Sequence, residues 1–212
     1  MLQRHAGILL VAVGCAGSAT LAQDVRITEG RADTSFDLQG VPHVIGRIQD
    51  LEHQLTGEFA RTSRACPPFC IQPAIAARGV ATIGELEVID FLENKAAAGT
   101  GLLIDSRLPD WFAGGSIPGA VNVPFATLDP TNPYRQDILL ALGATGNAAA
   151  LDFSAAMELI LYANGPWDDQ AARAVRSLLD AGYPADKLRY YRGGMQDWLM
   201  LGLTVTSPAP AQ

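Results

Sequence analysis

The stretch LILYANGPWDDQAARAVRSLLDAGY, residues Leu159 to Tyr183, decides the fold. Its apolar start predicts a buried strand, and its second half, QAARAVRSLLDAG, carries apolar residues at helical spacing. Between them lies the tight loop ANGPWDD, Ala163 to Asp169. A loop that leads into a helix N-terminus is where α/β proteins often bind an anion or hold a nucleophile. This loop has no cysteine, serine or histidine and ends in two acids, so it is either an active site or the frame of one that has lost its chemistry.

Strands and helices alternate along the chain from Val80 onward. The predicted strands are Leu102–Asp105, Ala120–Pro124, Glu158–Ala163 and Leu188–Tyr191. The predicted helices are Ile83–Lys95, Pro133–Gly143, Gln170–Gly182 and Met195–Gly202. This alternation favours a single α/β domain with a mainly parallel sheet and helices on both faces. Ligands of such sheets bind beyond the carboxyl ends of the strands, so we expect the loops after Asp105, Ala163 and Tyr191 to share one edge.

The chain before this pattern is of another kind. Residues 24–64 are polar and irregular, with extended pieces predicted at Val25–Thr28 and Val44–Gln49. The next segment, ACPPFCIQPAIAARG (Ala65–Gly79), contains three prolines, which predict a fixed connector rather than a helix. We therefore divide the chain into a signal sequence (1–22), an irregular, β-containing extension (23–78), the α/β domain (79–205) and a frayed tail (206–212).

The first residues have the layout of a secretory signal. Arg4 precedes an apolar run from Ala6 to Val13, and small residues lead to an expected cleavage site after Ala22. Lipoprotein processing at Cys15 is the less favoured alternative, because VAVG before it lacks the usual leucine. The run is too short for a transmembrane helix, and no other stretch of the sequence predicts a membrane span. We expect an exported protein, in the periplasm of a bacterium.

The overall charge argues against two classes of partner. The 212 residues carry a formal net charge of -7. Nucleic acids and anionic membranes are bound through basic patches, so neither is an expected partner. The expected partner is an unidentified protein or small ligand.

The mature protein would keep two cysteines, Cys66 and Cys70, if Cys15 is removed with the signal. In an oxidising compartment this pair favours a structural disulfide; free or exchangeable thiols and a metal site are the alternatives. Two sulfurs alone do not make a zinc site, and His43 and His53 lack a ligand spacing. We expect neither a metal nor a cofactor.

Three stretches resemble the rhodanese family of sulfurtransferases. LLIDSRLPDWFAGGSIPGAVNVP (Leu102–Pro124) resembles the family's strand ending in Asp-x-Arg and its Gly-His-Ile-x-Gly-Ala-x-Asn motif. YRGGMQDW (Tyr191–Trp198) resembles its closing Gly-Gly-x-x-x-Trp element, and YANGPWDDQAARA stands in place of the active-site loop. The resemblance covers about Gly79 to Val205. It implies a rhodanese fold and a sulfurtransferase ancestry.

CPPFCIQP (Cys66–Pro73) resembles a segment that precedes the domain in one exported branch of the family, whose loop reads Cys-Asn-Gly-Pro-Trp-Cys. Against that pattern the chain has Ala163 at the nucleophile position, Asp168 at the second cysteine and Ser116 at the family's histidine. The loop residues that it keeps are Asn164, Gly165, Pro166 and Trp167.

The departures matter because rhodanese chemistry, as the resemblance implies, needs a cysteine thiolate that carries sulfur as a persulfide. The methyl group of Ala163 cannot do this. Asp168 would place a carboxylate among the backbone N–H groups that stabilise such an anion and would repel an anionic donor. Asp169 is a natural N-cap for the following helix; both acids as a cation site are disfavoured, since hard metals want more oxygen ligands.

The candidate pocket residues are Asp105, Arg107, Asn164, Gly165, Trp167, Asp169 and Arg192. For Asp105 and Arg107 an ion pair that ties the loops together is favoured over direct ligand contact. Arg192 either binds an anion or is simply exposed. The three tryptophans are predicted to be packing residues.

Two functions remain open. The favoured one is a non-catalytic binding or regulatory module. The alternative is a sulfurtransferase or thiol-redox sulfur carrier that works through Cys66 and Cys70.

Overall fold

The computed structural model describes residues 24–147 and 150–207. The predicted signal sequence, Cys15 and residues 208–212 lie outside the described residues. Five strands form one parallel sheet: β3 (Ala81–Ile83), β4 (Gly101–Asp105), β5 (Val121–Asn122), β8 (Glu158–Tyr162) and β9 (Leu188–Tyr191). Their order is β3-β9-β8-β4-β5. The predicted parallel α/β fold is therefore confirmed.

The helices flank this sheet. They are α1 (Glu85–Phe91), continued by a π-helical turn at Leu92–Ala96, α2 (Pro109–Ala113), α3 (Arg135–Ala141), α4 (Gln170–Asp180) and α5 (Gly194–Met200). Short 3-10 turns lie at Gly57–Ala60, Phe125–Leu128 and Ala185–Lys187. Even the longest continuous helical stretch in the described part of the chain, α1 with its π-helical turn (Glu85–Ala96), is far shorter than a bilayer crossing needs.

Alternating side chains of β8 divide the core into two clusters. Leu159 and Leu161 pack with residues of α3 and α4, whereas Ile160 and Tyr162 pack with residues of α1 and α5. All four side chains are fully buried. A strand that is covered on both faces has a continuous run of apolar residues in its sequence. For this reason β8 could be predicted from the sequence.

The carboxyl ends of three central strands lie side by side. Asp105, the last residue of β4, is in register with Tyr162 of β8, and Tyr162 is in register with Tyr191 of β9. The loops that follow these strands therefore meet at one edge, as predicted from the order of strands and helices.

The predicted β-containing character of the extension is confirmed, although neither of the two hairpins in the described residues was predicted. A hairpin, β1 (Thr34–Leu38) and β2 (Val41–Ile45), packs Phe36 and Ile45 into the core. A second hairpin consists of β6 (Thr145–Asn147) and β7 (Ala150–Asp152). The predicted extended piece at Val25–Thr28 is wrong: its only pairing is a single bridge between Thr28 and Arg31.

Two predicted boundaries also needed correction. The predicted extended piece Val44–Gln49 overlaps β2 only up to Ile45, although Arg47 forms one bridge with Leu203. Ile83, predicted as the start of a helix, is the last residue of the edge strand β3. Most of β3 is exposed, so it lacks the apolar run that marks a central strand.

Helix α5 approaches the loop after β8 closely, and Gly194 permits this. Its φ is +55°, and a Cβ there would lie 2.3 Å from the carbonyl oxygen of Ala163. The neighbouring Gly193 has φ -58°, and a Cβ there would lie 2.6 Å from an Asp197 carboxylate oxygen and 2.9 Å from Asp197 Cβ.

We expect Gly194→Ala to lower the free energy of unfolding by more than about 2 kcal/mol, because it adds backbone strain to a clash with backbone. Gly193→Ala is the matched control and should cost less, because its φ is unstrained and its nearest contacts are side-chain atoms of Asp197 rather than backbone atoms. Urea denaturation of both variants measures the difference. Equal losses would contradict the close approach.

Candidate active-site loop

The edge of the sheet is organised around a buried ion pair. Arg107 Nη2 donates to Asp105 Oδ2 at 2.6 Å, and the side chains are 1% and 0% exposed. The same guanidinium donates from Nη2 to the Gly115 carbonyl at 2.6 Å and from Nη1 to Asn164 Oδ1 at 3.3 Å. The pair thus ties the loop after β4 to the loop after β8.

Tyr162 and Asn122 complete this network, and the sequence analysis missed both. The Tyr162 hydroxyl donates to Asp105 Oδ2 at 2.9 Å and accepts from the Ile117 N–H at 3.2 Å. Burial, together with the Asp105 carboxylate, raises the pKa of this phenol well above its ordinary value. Asn122 Nδ2 donates to the carbonyls of Asp105 and Arg107. Asn122 corresponds to the asparagine of the Ala-x-Asn motif quoted above, so the motif could have identified it. For Tyr162 the sequence offered no indication of a role other than its place in a buried strand.

The interior of the loop holds the carboxylate of Asp168. Its Oδ2 accepts from the Asn164 N–H at 3.2 Å, from Asn164 Nδ2 at 2.8 Å and from Gln170 Nε2 at 2.8 Å. Its Oδ1 accepts from the Gln170 N–H, the first residue of α4, at 3.0 Å. Burial raises the pKa of this carboxyl above the ordinary aspartate value, although its four donors oppose the rise.

Asp169 is not the side-chain cap that the sequence predicts. It occupies the N-cap position of α4, but its side chain makes no capping hydrogen bond. Its backbone, with φ -88° and ψ -4°, is already helical, whereas a capping residue normally has extended angles. Asp168, one residue earlier, caps the helix instead.

The backbone of the loop is tied to the start of α5. The carbonyl of Ala163 accepts from the Met195 N–H at 3.0 Å, and the carbonyl of Asn164 accepts from the Gln196 N–H at 2.8 Å. Ala163 and Asn164 are 3% and 1% exposed. The position after β8 is therefore a buried, fixed backbone site whose side chain is a methyl group.

A segment of the extension lies across the loop; we call residues 57–73 the strap. The Gln72 N–H donates to the Pro166 carbonyl at 2.8 Å. The Arg64 guanidinium lies 3.6 Å from the centre of the Trp167 ring, and the Phe69 ring contacts the same indole edge-on at 5.4 Å. The Arg64 side chain is only 5% exposed. The strap therefore packs against the Trp167 side chain.

Arg192 also holds the strap, so its guanidinium is neither free for an anion nor simply exposed. Its Nη2 donates to the Gln72 carbonyl at 2.8 Å, and its Nε donates to the Pro73 carbonyl at 3.2 Å. Gln196 adds a further tie, since its Nε2 donates to the Phe59 carbonyl at 2.7 Å.

Cys66 and Cys70 form a disulfide within the strap, with their Cα atoms 4.7 Å apart. Of the three alternatives for this pair, the structure has the disulfide. Cys66 lies on the exposed side of the strap. Among residues 24–147 and 150–207, no three His, Cys, Asp or Glu side chains are grouped as a metal site would require.

Ser116 is buried and pairs with the end of the chain. Its N–H donates to the Thr206 carbonyl at 2.8 Å, and the Thr206 N–H donates to the Ser116 carbonyl at 3.0 Å. The predicted frayed tail therefore does not begin at Thr206.

Trp198 is fully buried and donates from Nε1 to the Thr204 carbonyl at 2.8 Å. It is thus a packing residue of the core, whereas Trp167 contacts the strap.

A model of the rhodanese-like domain matches residues 87–201, more than half of the chain. The chain belongs to the rhodanese-like domain family. The match covers the Asp105–Arg107 pair, the loop after β8 and the Gly193-Gly194 element, which are the parts that the geometry brings together. The rhodanese-like domain is thus the part of the chain that carries the candidate site.

A curated relative and several solved structures are similar to this domain. An HTH-type transcriptional regulator of Mycobacterium tuberculosis, Rv0324, is 32% identical over 119 residues, which are 56% of this chain and 43% of the relative. The chain thus spans less than half of that relative's length. The human single-domain sulfurtransferase is 24% identical, with a TM-score of 0.38, over 57% of this chain and 96% of its own. A thiosulfate sulfurtransferase of Pseudomonas aeruginosa is 22% identical, with a TM-score of 0.42, over 62% of this chain and 21% of its own.

The two neighbouring acids of the loop should differ in their contribution to stability. We expect Asp168→Ala to lower the free energy of unfolding by about 1–3 kcal/mol, because it leaves the buried N–H groups of Asn164 and Gln170 without an acceptor. Asp169→Ala should change it by less than about 0.5 kcal/mol. Thermal and urea unfolding of both variants test this, and a larger loss for Asp169→Ala would contradict the assigned cap.

Proposed function

We propose that this protein is a non-catalytic binding or regulatory module with a rhodanese-like fold. One observation carries the proposal: the Asp168 carboxylate occupies the interior of the loop, where it accepts from the Asn164 N–H and from the first N–H of α4. Those N–H groups are the ones that would stabilise a sulfur anion. The loop is therefore already filled by an anion of the chain itself.

The position of Ala163 supports the same conclusion. Sulfur transfer in this family requires a thiolate that attacks the outer sulfur of a donor such as thiosulfate, forms a persulfide and releases sulfite. A methyl group has no lone pair with which to form that bond. Residues 163–172 contain no cysteine, serine, threonine or tyrosine that could replace it.

The strap is the segment through which access to the loop would be regulated. Arg64 and Phe69 contact Trp167, and Arg192 and Gln196 hold the strap's backbone. Any molecule that reaches the outer face of the loop must displace these contacts. A partner that binds the strap therefore changes access to the loop.

We further propose that the protein acts after export, in an oxidising compartment such as a bacterial periplasm. The disulfide between Cys66 and Cys70 supports this, because such bonds persist where thiols are not kept reduced. The signal-like sequence at residues 1–22 supports it independently.

The wild-type chain should transfer no sulfur from thiosulfate to cyanide, and the variant that combines Ala163→Cys with Asp168→Cys should gain a persulfide. Ala163→Cys alone should gain much less, because the neighbouring Asp168 carboxylate raises the pKa of a thiol and repels thiosulfate. Thiocyanate formation and intact-mass spectrometry measure the two steps.

A control variant shows whether the disulfide cysteines contribute to any measured sulfur transfer. Cys66→Ser with Cys70→Ser, made in the wild-type background, leaves a mature chain without thiols. Turnover by that variant would overturn the proposal. A folded double-cysteine revertant that never forms a persulfide would show that the loop has diverged at more than these two positions.

A second candidate function is thiol-redox or sulfur transfer through Cys66 and Cys70. The observation that favours it is the exposure of Cys66 beside the active-site loop. A dithiol reductant would give two electrons and two protons to this disulfide, yielding two thiols and the oxidised reductant.

A reduction assay separates this candidate from the first. The second function predicts that a reduced wild-type chain accepts sulfane sulfur, and that the Cys66→Ser, Cys70→Ser variant does not. We expect the sulfane-sulfur donor to reoxidise the reduced wild-type chain: the two thiols give two electrons and two protons to the sulfane sulfur, which leaves as hydrogen sulfide, and the disulfide re-forms without retained sulfur. Stable sulfur on either cysteine, located by peptide mass spectrometry, would favour the second candidate instead.

A further inference from the structure

A cavity of about 520 Å³ lies beside the active-site loop. One side of it is formed by the extension, from Ile48 to Phe59, and the other by α2, its C-terminal glycines, α5 and the segment after it. Its volume is within the range of protein sites for small molecules. The cavity takes its lining from these segments and not from the loop, so its contents would not compete with the Asp168 carboxylate.

The lining is mainly apolar and partly aromatic. Met195 and Leu203 form its deepest part, being 1% and 4% exposed. The rings of Phe59 and Trp111 are in direct edge-to-face contact, with centroids 5.8 Å apart and an angle of 68° between their planes. Together they form an aromatic corner of the lining, and a flat ligand ring can pack against this corner rather than between the two rings.

The charged groups that reach the cavity are mostly compensated. Arg107 is neutralised by Asp105 at 2.6 Å. Glu58 is paired with Arg61 at 2.9 Å and also contacts Arg64. The cavity therefore offers no free buried charge to an ionic ligand, and burying an unpaired ligand charge there would be costly.

Two further titratable residues line the cavity, Asp110 and His53, and both are exposed. Because both side chains lie in solvent, neither provides a buried partner for a cationic or an anionic ligand.

We propose that this cavity is a binding site for a small, neutral, mainly aromatic molecule. The inference rests on the proposed binding function and names the chemical class of the ligand. It assigns a role to Phe59 and Trp111, which the rhodanese-like loop does not use. Because Phe59 belongs to the strap and is held by Gln196, occupancy of the cavity also bears on how the strap sits against the domain.

Two fluorescent probes that share one ring skeleton test this inference. N-phenylnaphthylamine is neutral, and anilinonaphthalene sulfonate adds a single negative charge. We expect one molecule of the neutral probe to bind per chain, with a rise in fluorescence. The sulfonate should bind at least about tenfold more weakly, because its charge finds no free partner.

The variant Gly114→Leu tests whether the probe binds in this cavity. Gly114 ends α2 with φ -70°, and a Cβ there makes only ordinary contacts, 3.5 Å from the nearest atoms, so the larger side chain is tolerated and fills the cavity. We expect it to weaken the neutral probe more than about tenfold. Gly30→Leu is the matched control, since a Cβ at Gly30 has no atom within 4 Å and lies outside this cavity.

Trp111→Leu provides a second variant that keeps the wall apolar and removes the ring; it should weaken the neutral probe severalfold. Circular dichroism verifies the fold of every variant. The inference is overturned if the neutral probe does not bind, if the sulfonate binds as tightly, or if folded Gly114→Leu binds like wild type. None of these readouts depends on sulfur transfer, so turnover from thiosulfate would refute the proposed function separately.

Discussion

The buried ion pair between Asp105 and Arg107 is the constraint on which the site depends. Two charges removed from water are tolerated only when their remaining hydrogen-bonding groups are satisfied. Here the guanidinium reaches the Gly115 carbonyl and Asn164, and the carboxylate accepts from Tyr162. These requirements fix three chain segments against one another. The loop after β8 keeps its place because the pair needs Asn164.

The same interactions hold the loop without any contribution from a nucleophile. The loop is positioned by Asn164, by the backbone of α5 and by the close approach at Gly194. The Asp168 carboxylate accepts from N–H groups inside the loop, so no bound ligand is needed to satisfy them. A fold can persist independently of an activity, because chemistry depends on particular side chains placed on a scaffold.

The sequence predicted the centre of the fold better than its periphery. Strands β4, β8 and β9 were identified because burial on both faces makes them continuous apolar runs. The edge strand β3 and the hairpin of β1 and β2 were missed or misplaced, since short and partly exposed strands lack that signal. The antiparallel pairing of β1 with β2 is local, whereas the packing of this hairpin against the core involves distant residues.

At the site, some residues predicted from the sequence have partners that the sequence did not indicate. Asp169 was predicted to cap α4, but its helical backbone angles and the hydrogen bond from the Gln170 N–H to Asp168 give that role to Asp168. Arg192 was expected either to bind an anion or to be exposed, because nothing local shows that the carbonyls of Gln72 and Pro73 come to lie beside it. Long-range contacts of this kind are set by the path of the strap, which its prolines restrict but do not specify.

The central claim is that the loop cannot carry sulfur, and the mass of the intact protein after incubation with thiosulfate tests it most directly. The account predicts that the wild-type chain, with its Cys66–Cys70 disulfide in place, keeps its mass unchanged. A gain of one sulfur atom per chain, located by fragmentation to residues 163–169, would contradict the account.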